Sequence, residues 1–253
     1  MSLVLFEQVQ EGDEVYLDWL LSGLGWTFTL AITGWCIAFA IGILVGSART
    51  SPHRGLAVAA RLYVEVFRNI PVIVQMFLWY FVLPEVLPAN LGDAYKKMPL
   101  PWASFVPALA ALSLYTAARV AEQVRAGIEA LPQGQSAAAQ ALGMSELKMY
   151  RLVLLPQALR IITPTLTSEM MGIFKNTSVA LTIGLLELTA QARQINEFTF
   201  QTFQAFGAAT VVYLLLALVV YALMHWLEAH YRTPGLEPSR APRAKAVGAK
   251  QGV

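Results

Sequence analysis

The sequence predicts an all-α integral membrane protein with about five transmembrane helices and a helix-turn-helix on the cytoplasmic side. Three observations carry this. The 253 residues are 57% hydrophobic before glycine is counted, against about 45–50% with glycine in soluble domains, and only 13% are charged. Apolar runs near residues 22–47, 64–87, 103–123, 161–186 and 204–227 each approach the ~20 residues that cross ~30 Å of hydrocarbon. The connections between them alternate in Lys and Arg content, the mark of a multi-pass chain, because basic residues are retained on the cytoplasmic side.

Residues 1–20 carry Glu7, Glu11, Asp13, Glu14 and Asp18 with no Lys or Arg, and are expected outside. No basic run precedes the first apolar stretch, so span one is expected to serve as its own insertion signal. Cys36, the single cysteine, lies in that span as a small packing residue and cannot form an internal disulfide. Residues 48–63, with Arg49, Pro52, Arg54, Gly55 and Arg61, read as a cytoplasmic turn and a short amphipathic helix leading into span two. The outer connection after span two is balanced, Glu85 and Asp93 against Lys96 and Lys97. Span three is clean and leads into the basic, alanine-rich segment 125–160, which holds Arg125, Lys148, Arg151 and Arg160. Span four carries Pro164, Glu169 and Lys175; span five is clean and ends in a basic tail. The whole reads as an external segment 1–20, a transmembrane domain 21–231 and a disordered cytoplasmic tail 232–253, N-terminus out and C-terminus in. The net charge of +2 is then a topology signal with no nucleic-acid stripe behind it, and no internal repeat is visible.

Within 125–160, Ser136–Leu142 is rich in strong helix formers, and Gly143 follows where a helix ends in a left-handed turn. Ser145 can cap a second helix, Glu146 suits its first turn, and Pro156 is expected to stop it about three turns on. Met144, Leu147 and Tyr150 give the tip apolar and aromatic contacts.

Ionisable residues in spans face a cavity, a partner or the interface. Spacings of three or four allow pairs Arg61–Glu65, Glu65–Arg68, Arg119–Glu122, Glu122–Arg125 and Arg125–Glu129, read as structural ladders or part of an inner gate. Glu169 and Lys175 fall about 120° apart around a helix and need partners elsewhere, whereas Glu169 shares a face with Asn176 and Ser168 with Lys175. Lys175, Asn176, Thr177 and Ser178 together suit a carboxylate, or else pair for packing. Pro71 and Pro164 should kink or interrupt their helices, freeing backbone groups tolerated only beside protein or a wet cavity.

The loop resembles that of the permease subunits of ATP-binding cassette importers: two alanines, three residues, glycine, nine residues, then Ile-x-Leu-Pro. Here these are Ala138, Ala139, Gly143, Val153, Leu155 and Pro156, with Ala137 where the family often has glutamate. Val64–Gln75, Thr116–Arg125, Ser168–Met171 and Lys175–Ser178 are similar to motifs of the polar amino-acid permeases, nearest the glutamate/aspartate permease subunits. The resemblance implies that Ala138, Ala139, Gly143, Met144, Ser145, Val153, Leu155 and Pro156 form an ATPase-coupling loop. Pro71, Gln75, Arg119, Glu122, Glu169, Lys175, Asn176, Thr177 and Ser178 become substrate-path candidates, with the last four receiving an amino acid's carboxylates.

No Gly-x-x-x-x-Gly-Lys-Ser/Thr loop, Cys/His cluster or Gly-x-Ser-x-Gly elbow occurs, so no catalysis, cofactor or metal is expected on this chain. By the resemblance, ATP is bound by a partner. The assembly implied is a second permease (paralogue or copy), two cytoplasmic ATPases and an external solute-binding protein in a bacterial inner membrane, with lipid around the spans. A stand-alone secondary transporter or channel, using Arg119, Glu169 and Lys175 as coupling or pore groups, is the alternative; an intramembrane enzyme is a third class.

Overall fold

A computed structural model describes residues 15–231, and the expectations for residues 1–14 and 232–253 lie outside them. The described residues are helices and their connections. Helix α1, Tyr16–Arg49, is 34 residues long and runs about 51 Å, more than a bilayer core requires. It packs lengthwise on α6, Trp102–Glu129. Lipid offers no hydrophobic drive for this contact, so close backbone approach has to supply it. Gly34, Ala38, Gly42 and Gly46, four apart, form that stripe on α1. A Cβ at Gly42 would sit 2.5 Å from Val120 Cγ1, and one at Gly46 2.6 Å from Val124 Cβ.

Helix α2, Arg54–Asn69, does not continue into a straight second span. Ile70 is extended ahead of Pro71, and the axis turns by 103° between Arg54–Asn69 and Val72–Val86. The second stretch comprises α3 (Val72–Phe77), a π turn (Leu78–Val82) and α4 (Leu83–Val86). Gln75 bridges the break: its Nε2 donates to the carbonyls of Phe67 at 2.8 Å and Ile70 at 3.0 Å. Span two, expected over 64–87, is therefore split at Pro71. The short α5, Ala89–Lys96, then leads to α6.

After α6 come α7 (Gly134–Ala141), the turn at Gly143 with φ +71°, α8 (Glu146–Met149), a π turn (Tyr150–Leu154) and α9 (Leu155–Asn176). Ser145 takes the extended N-cap backbone, but its hydroxyl makes no capping bond. Pro156 does not stop the second helix: the helical path runs from Glu146 to Asn176. The π turn explains why. Leu155 N–H reaches back five residues to Tyr150 O, and this local widening relieves the clash of a proline ring with the preceding turn. The same device recurs at Leu83, which donates to Leu78 O one residue before Pro84. Pro164 likewise leaves α9 unbroken. Hydroxyls of Thr163, Thr165 and Thr167 around it bond back to the carbonyls of Leu159, Ile162 and Thr163.

A 3-10 stretch, Thr177–Ile183, ends at Gly184 with φ +83°, and α10 (Leu188–Thr199) and α11 (Thr202–Tyr231) complete the described chain. Among the described residues three helices, Tyr16–Arg49, Trp102–Glu129 and Thr202–Trp226, are long and apolar enough to cross a membrane. The bent pair makes a fourth. These correspond to the first, third, fifth and second of the expected spans. The expected fourth, 161–186, falls on the more polar α9 and the 3-10 stretch and does not reach that apolarity. Three buried clusters hold the bundle: Leu30, Met76, Leu112 and Ile173 at its middle; Val124, Ile128, Ala139, Met149 and Ile162 under the α7–α8 turn; and Leu20, Leu188, Ile195 and Ala205 at the other end.

Candidate functional site

Arg119 of α6 and Glu169 of α9 meet through two parallel hydrogen bonds, Nε to Oε2 at 2.6 Å and Nη2 to Oε1 at 2.9 Å. This fork-to-carboxylate geometry is the strongest form of a charge-assisted pair. Gln123 Nε2 adds a third donor to Glu169 at 2.9 Å, and the Tyr115 ring lies 5.8 Å from the Arg119 guanidinium carbon. Glu169 is buried, whereas the Arg119 side chain is 43% exposed. Both open onto a cavity of about 250 Å³ also lined by Thr116, Ser168 and Asn176. The cavity thus presents one half-free cation, one held carboxylate, and hydroxyl and amide groups.

The partner that Glu169 required is therefore Arg119, fifty residues earlier, and Arg119 does not pair with Glu122. Glu122 instead gathers three arginines: Arg49 from α1, Arg68 from α2 at 3.7 Å and Arg125 at 2.6 Å. Arg125 also pairs with Glu129, and Arg61 with Glu65 at 2.7 Å, as the spacings suggest. Arg68 faces Glu122 rather than Glu65.

The stretch Lys175–Ser178 is not one surface. Asn176 joins the Arg119–Glu169 cavity. Lys175 and Ser178 lie on a separate groove of about 530 Å³ between α9 and α11, with Phe174, Thr210, Tyr213 and Tyr221. Lys175 forms no ion pair among the described residues. Thr177 is fully buried and donates to Phe174 O at 2.7 Å. Pro71 and Gln75 form the α2–α3 bend and line neither cavity.

In the loop, Ala139 is buried against the second cluster, while Ala138, Gly143, Ser145 and Pro156 are exposed, Met144, Val153 and Leu155 half-buried. Leu142 and Leu147, each 77% exposed, flank the Gly143 turn as an apolar tip. The turn after α1 ties this unit down: Ser51 Oγ donates to Glu146 Oε1 at 2.9 Å, Thr50 Oγ1 and Tyr150 OH lie 2.9 Å apart, and His53 approaches Glu146 at 3.4 Å. Burial raises the Tyr150 hydroxyl above its ordinary pKa.

Sequence reading missed these α1 contacts, for which Thr50-Ser51 offers no local signal. It also missed Glu187, which is fully buried and heads α10 by accepting from Thr189 N and Ala190 N at 2.9 Å and from Tyr213 OH at 2.8 Å. An acidic residue immediately ahead of a helical run was the available sign.

Residues 38–233 match the family described as binding-protein-dependent transport system inner membrane component. The chain is 43% identical over 233 residues to the glutamate/aspartate import permease protein GltJ of Escherichia coli strain K12, covering 92% of this chain and 95% of GltJ. It is 31% identical over 212 residues to the glutamate/aspartate import permease protein GltK of Escherichia coli O6:H1, covering 84% and 93%. A crystal structure of an amino acid ABC transporter with histidines superposes with a TM-score of 0.71 at 30% identity, over 85% of this chain and 95% of that one. An all-helical fold, a matched family segment spanning most of the chain and relatives aligned nearly end to end agree. The chain belongs to the inner membrane components of binding-protein-dependent transport systems, the permease subunits of ATP-binding cassette importers.

Proposed function

We propose that this chain is one of two permease subunits of an ATP-driven importer of acidic amino acids, with glutamate and aspartate as its substrates. The observation that carries this reading is the 43% identity to GltJ over 92% of the chain. The occurrence of both a GltJ and a GltK among the relatives favours a paralogue as the second permease. The family's dependence on binding proteins implies an external solute-binding partner. The basic connections support an N-terminus outside and the loop inside, where the exposed Leu142 and Leu147 tip docks on an ATPase subunit that binds ATP. The Ser51–Glu146 and Thr50–Tyr150 contacts then carry movement of the tip into α1.

For substrate, the Arg119–Glu169 cavity suits a zwitterion with an extra carboxylate. The half-exposed guanidinium of Arg119 receives a carboxylate, Asn176 and Ser168 donate further bonds, and Glu169 orients Arg119 while facing an ammonium. Lys175 on the neighbouring groove supplies a second positive charge.

The test is to purify the tagged chain from its native membrane in mild detergent and to measure ligand binding by the cognate solute-binding protein. The reading expects a second permease and an ATPase to co-purify, and glutamate or aspartate as the tight ligand. Lysine or arginine as that ligand overturns the substrate assignment. A chain that purifies without an ATPase, and still transports after deletion of residues 135–156, overturns the importer assignment in favour of a stand-alone transporter.

A further inference from the structure

Helix α2 has three faces. Ala60 and Val64 pack into the protein. Val58, Leu62 and Val66, four apart, form a ridge 65%, 62% and 43% exposed. Arg54, Arg61 and Arg68, seven apart, run as a stripe beside that ridge. The helix is turned 103° from Val72–Val86, and Arg68 reaches Glu122 in the charged C-terminal part of α6. An amphipathic helix in that attitude occupies a membrane interface, its ridge among acyl chains and its cations at the headgroups.

Between α1, α2 and α6 the stripe borders a cavity of about 460 Å³ lined by Arg49, Arg61, Arg125, Glu65 and the ridge residue Val58. Arg49, Arg61 and Arg125 line it against Glu65, and with their ion-pair partners Glu122, Glu129 and Arg68 counted there are four arginines against three glutamates, an excess of one positive charge. Arginine does not shed its proton to relieve such an excess. Arg125 Nε, moreover, is buried there without a hydrogen-bond partner.

We infer that this cavity binds the headgroup of an anionic phospholipid of the inner leaflet, whose acyl chains lie along Val58, Leu62 and Val66. The joined ridge and cavity distinguish a lipid from a soluble anion, since only an amphiphile fills both. The excess charge selects against phosphatidylcholine, whose quaternary ammonium it repels. The inference rests on the orientation proposed above, with the loop inside, and is independent of which solute is carried.

The experiment is native mass spectrometry of the full chain in neutral detergent, alone and in its assembled complex, titrated with phosphatidylglycerol, phosphatidylcholine or inorganic phosphate. Phosphatidylglycerol should bind chain and complex in preference to phosphatidylcholine. The double variant R54Q/R61Q should weaken it roughly fivefold or more per arginine. The variant V58N/L62N, which keeps every arginine, should weaken it as well. Arg193→Gln removes an exposed arginine of the same i,i+4 geometry elsewhere, paired to Glu197, and should change nothing. Equal binding of the two lipids, or wild-type binding by either double variant, overturns the inference. Competition by inorganic phosphate as effective as by phosphatidylglycerol makes this a soluble-anion site. Binding to the chain but not to the complex makes it a subunit interface. No substrate is needed, so a failure of the amino-acid assignment leaves the lipid result readable.

Discussion

Arg119 and Glu169, fifty residues apart, are joined by paired hydrogen bonds of 2.6 and 2.9 Å, and their pairing fixes α6 against α9 at the cavity proposed for substrate. Removing either partner strands the other. Glu169→Gln should lower stability in detergent by about 2 kcal/mol, below the roughly 3–5 kcal/mol of a fully enclosed pair because Arg119 is 43% exposed. Chemical unfolding of E169Q, R119Q and the double variant checks it: the double should cost clearly less than the sum of the singles, and additive costs would contradict a direct pair.

The α1–α6 seam depends on side chains that are absent. Gly46→Val would drive a branched side chain into Val124 and the Ala121 carbonyl, whose atoms would lie 2.6 and 2.7 Å from its Cβ. The expected cost is about 1–3 kcal/mol with loss of folded yield. Gly25→Ala, on the same helix with nothing within 4 Å, should gain about 0.5–1 kcal/mol. Thermal unfolding of the two variants separates packing from helix propensity.

At the α2–α3 bend the Gln75 amide is the donor for two carbonyls. Gln75→Glu keeps the shape but replaces that donor with an acceptor, and should destabilise by at least the roughly 1–3 kcal/mol of unpaired buried polar groups. Urea unfolding of this variant and of Gln75→Ala tests it; wild-type stability in both would remove Gln75 from the bend.

These positions divide by how far the deciding contact lies along the chain. The apolar runs of α1, α6 and α11 and the turn at Gly143 were legible, because each is decided within a few residues. So was the break at Pro71, where the extended residue before a proline is a local effect. Pro156 misled because a proline was read as a stop, whereas a π turn just ahead of it lets the helix run on, as it also does ahead of Pro84. Arg119 misled similarly: Glu122 stands three residues away in sequence, and only the packing of α9 on α6 reveals Glu169 as the better partner. The spacing of Gly34, Ala38, Gly42 and Gly46 stands in the sequence but was not read from it, because the face it meets on α6 lies about eighty residues away and leaves no local sign.

Gly143 joins local conformation to the proposed coupling. Its φ of +71° costs an alanine about 1–2 kcal/mol even though nothing lies within 4 Å to clash. Asparagine, which tolerates this region, should be milder and valine worse. In the reconstituted complex, Gly143→Val should leave ATP hydrolysis running while uptake falls, and uptake should follow the order Gly, Asn, Ala, Val. Normal coupled uptake by Gly143→Val would exclude the turn from transmission.

The central claim is tested most directly by uptake of labelled glutamate into proteoliposomes holding this chain, its second permease and the ATPase, with the solute-binding protein added outside. The account predicts accumulation that requires ATP, the ATPase and the binding protein, and that excess aspartate suppresses but lysine does not. Uptake that persists without the ATPase, or ATP-driven uptake of lysine in place of glutamate, would contradict it.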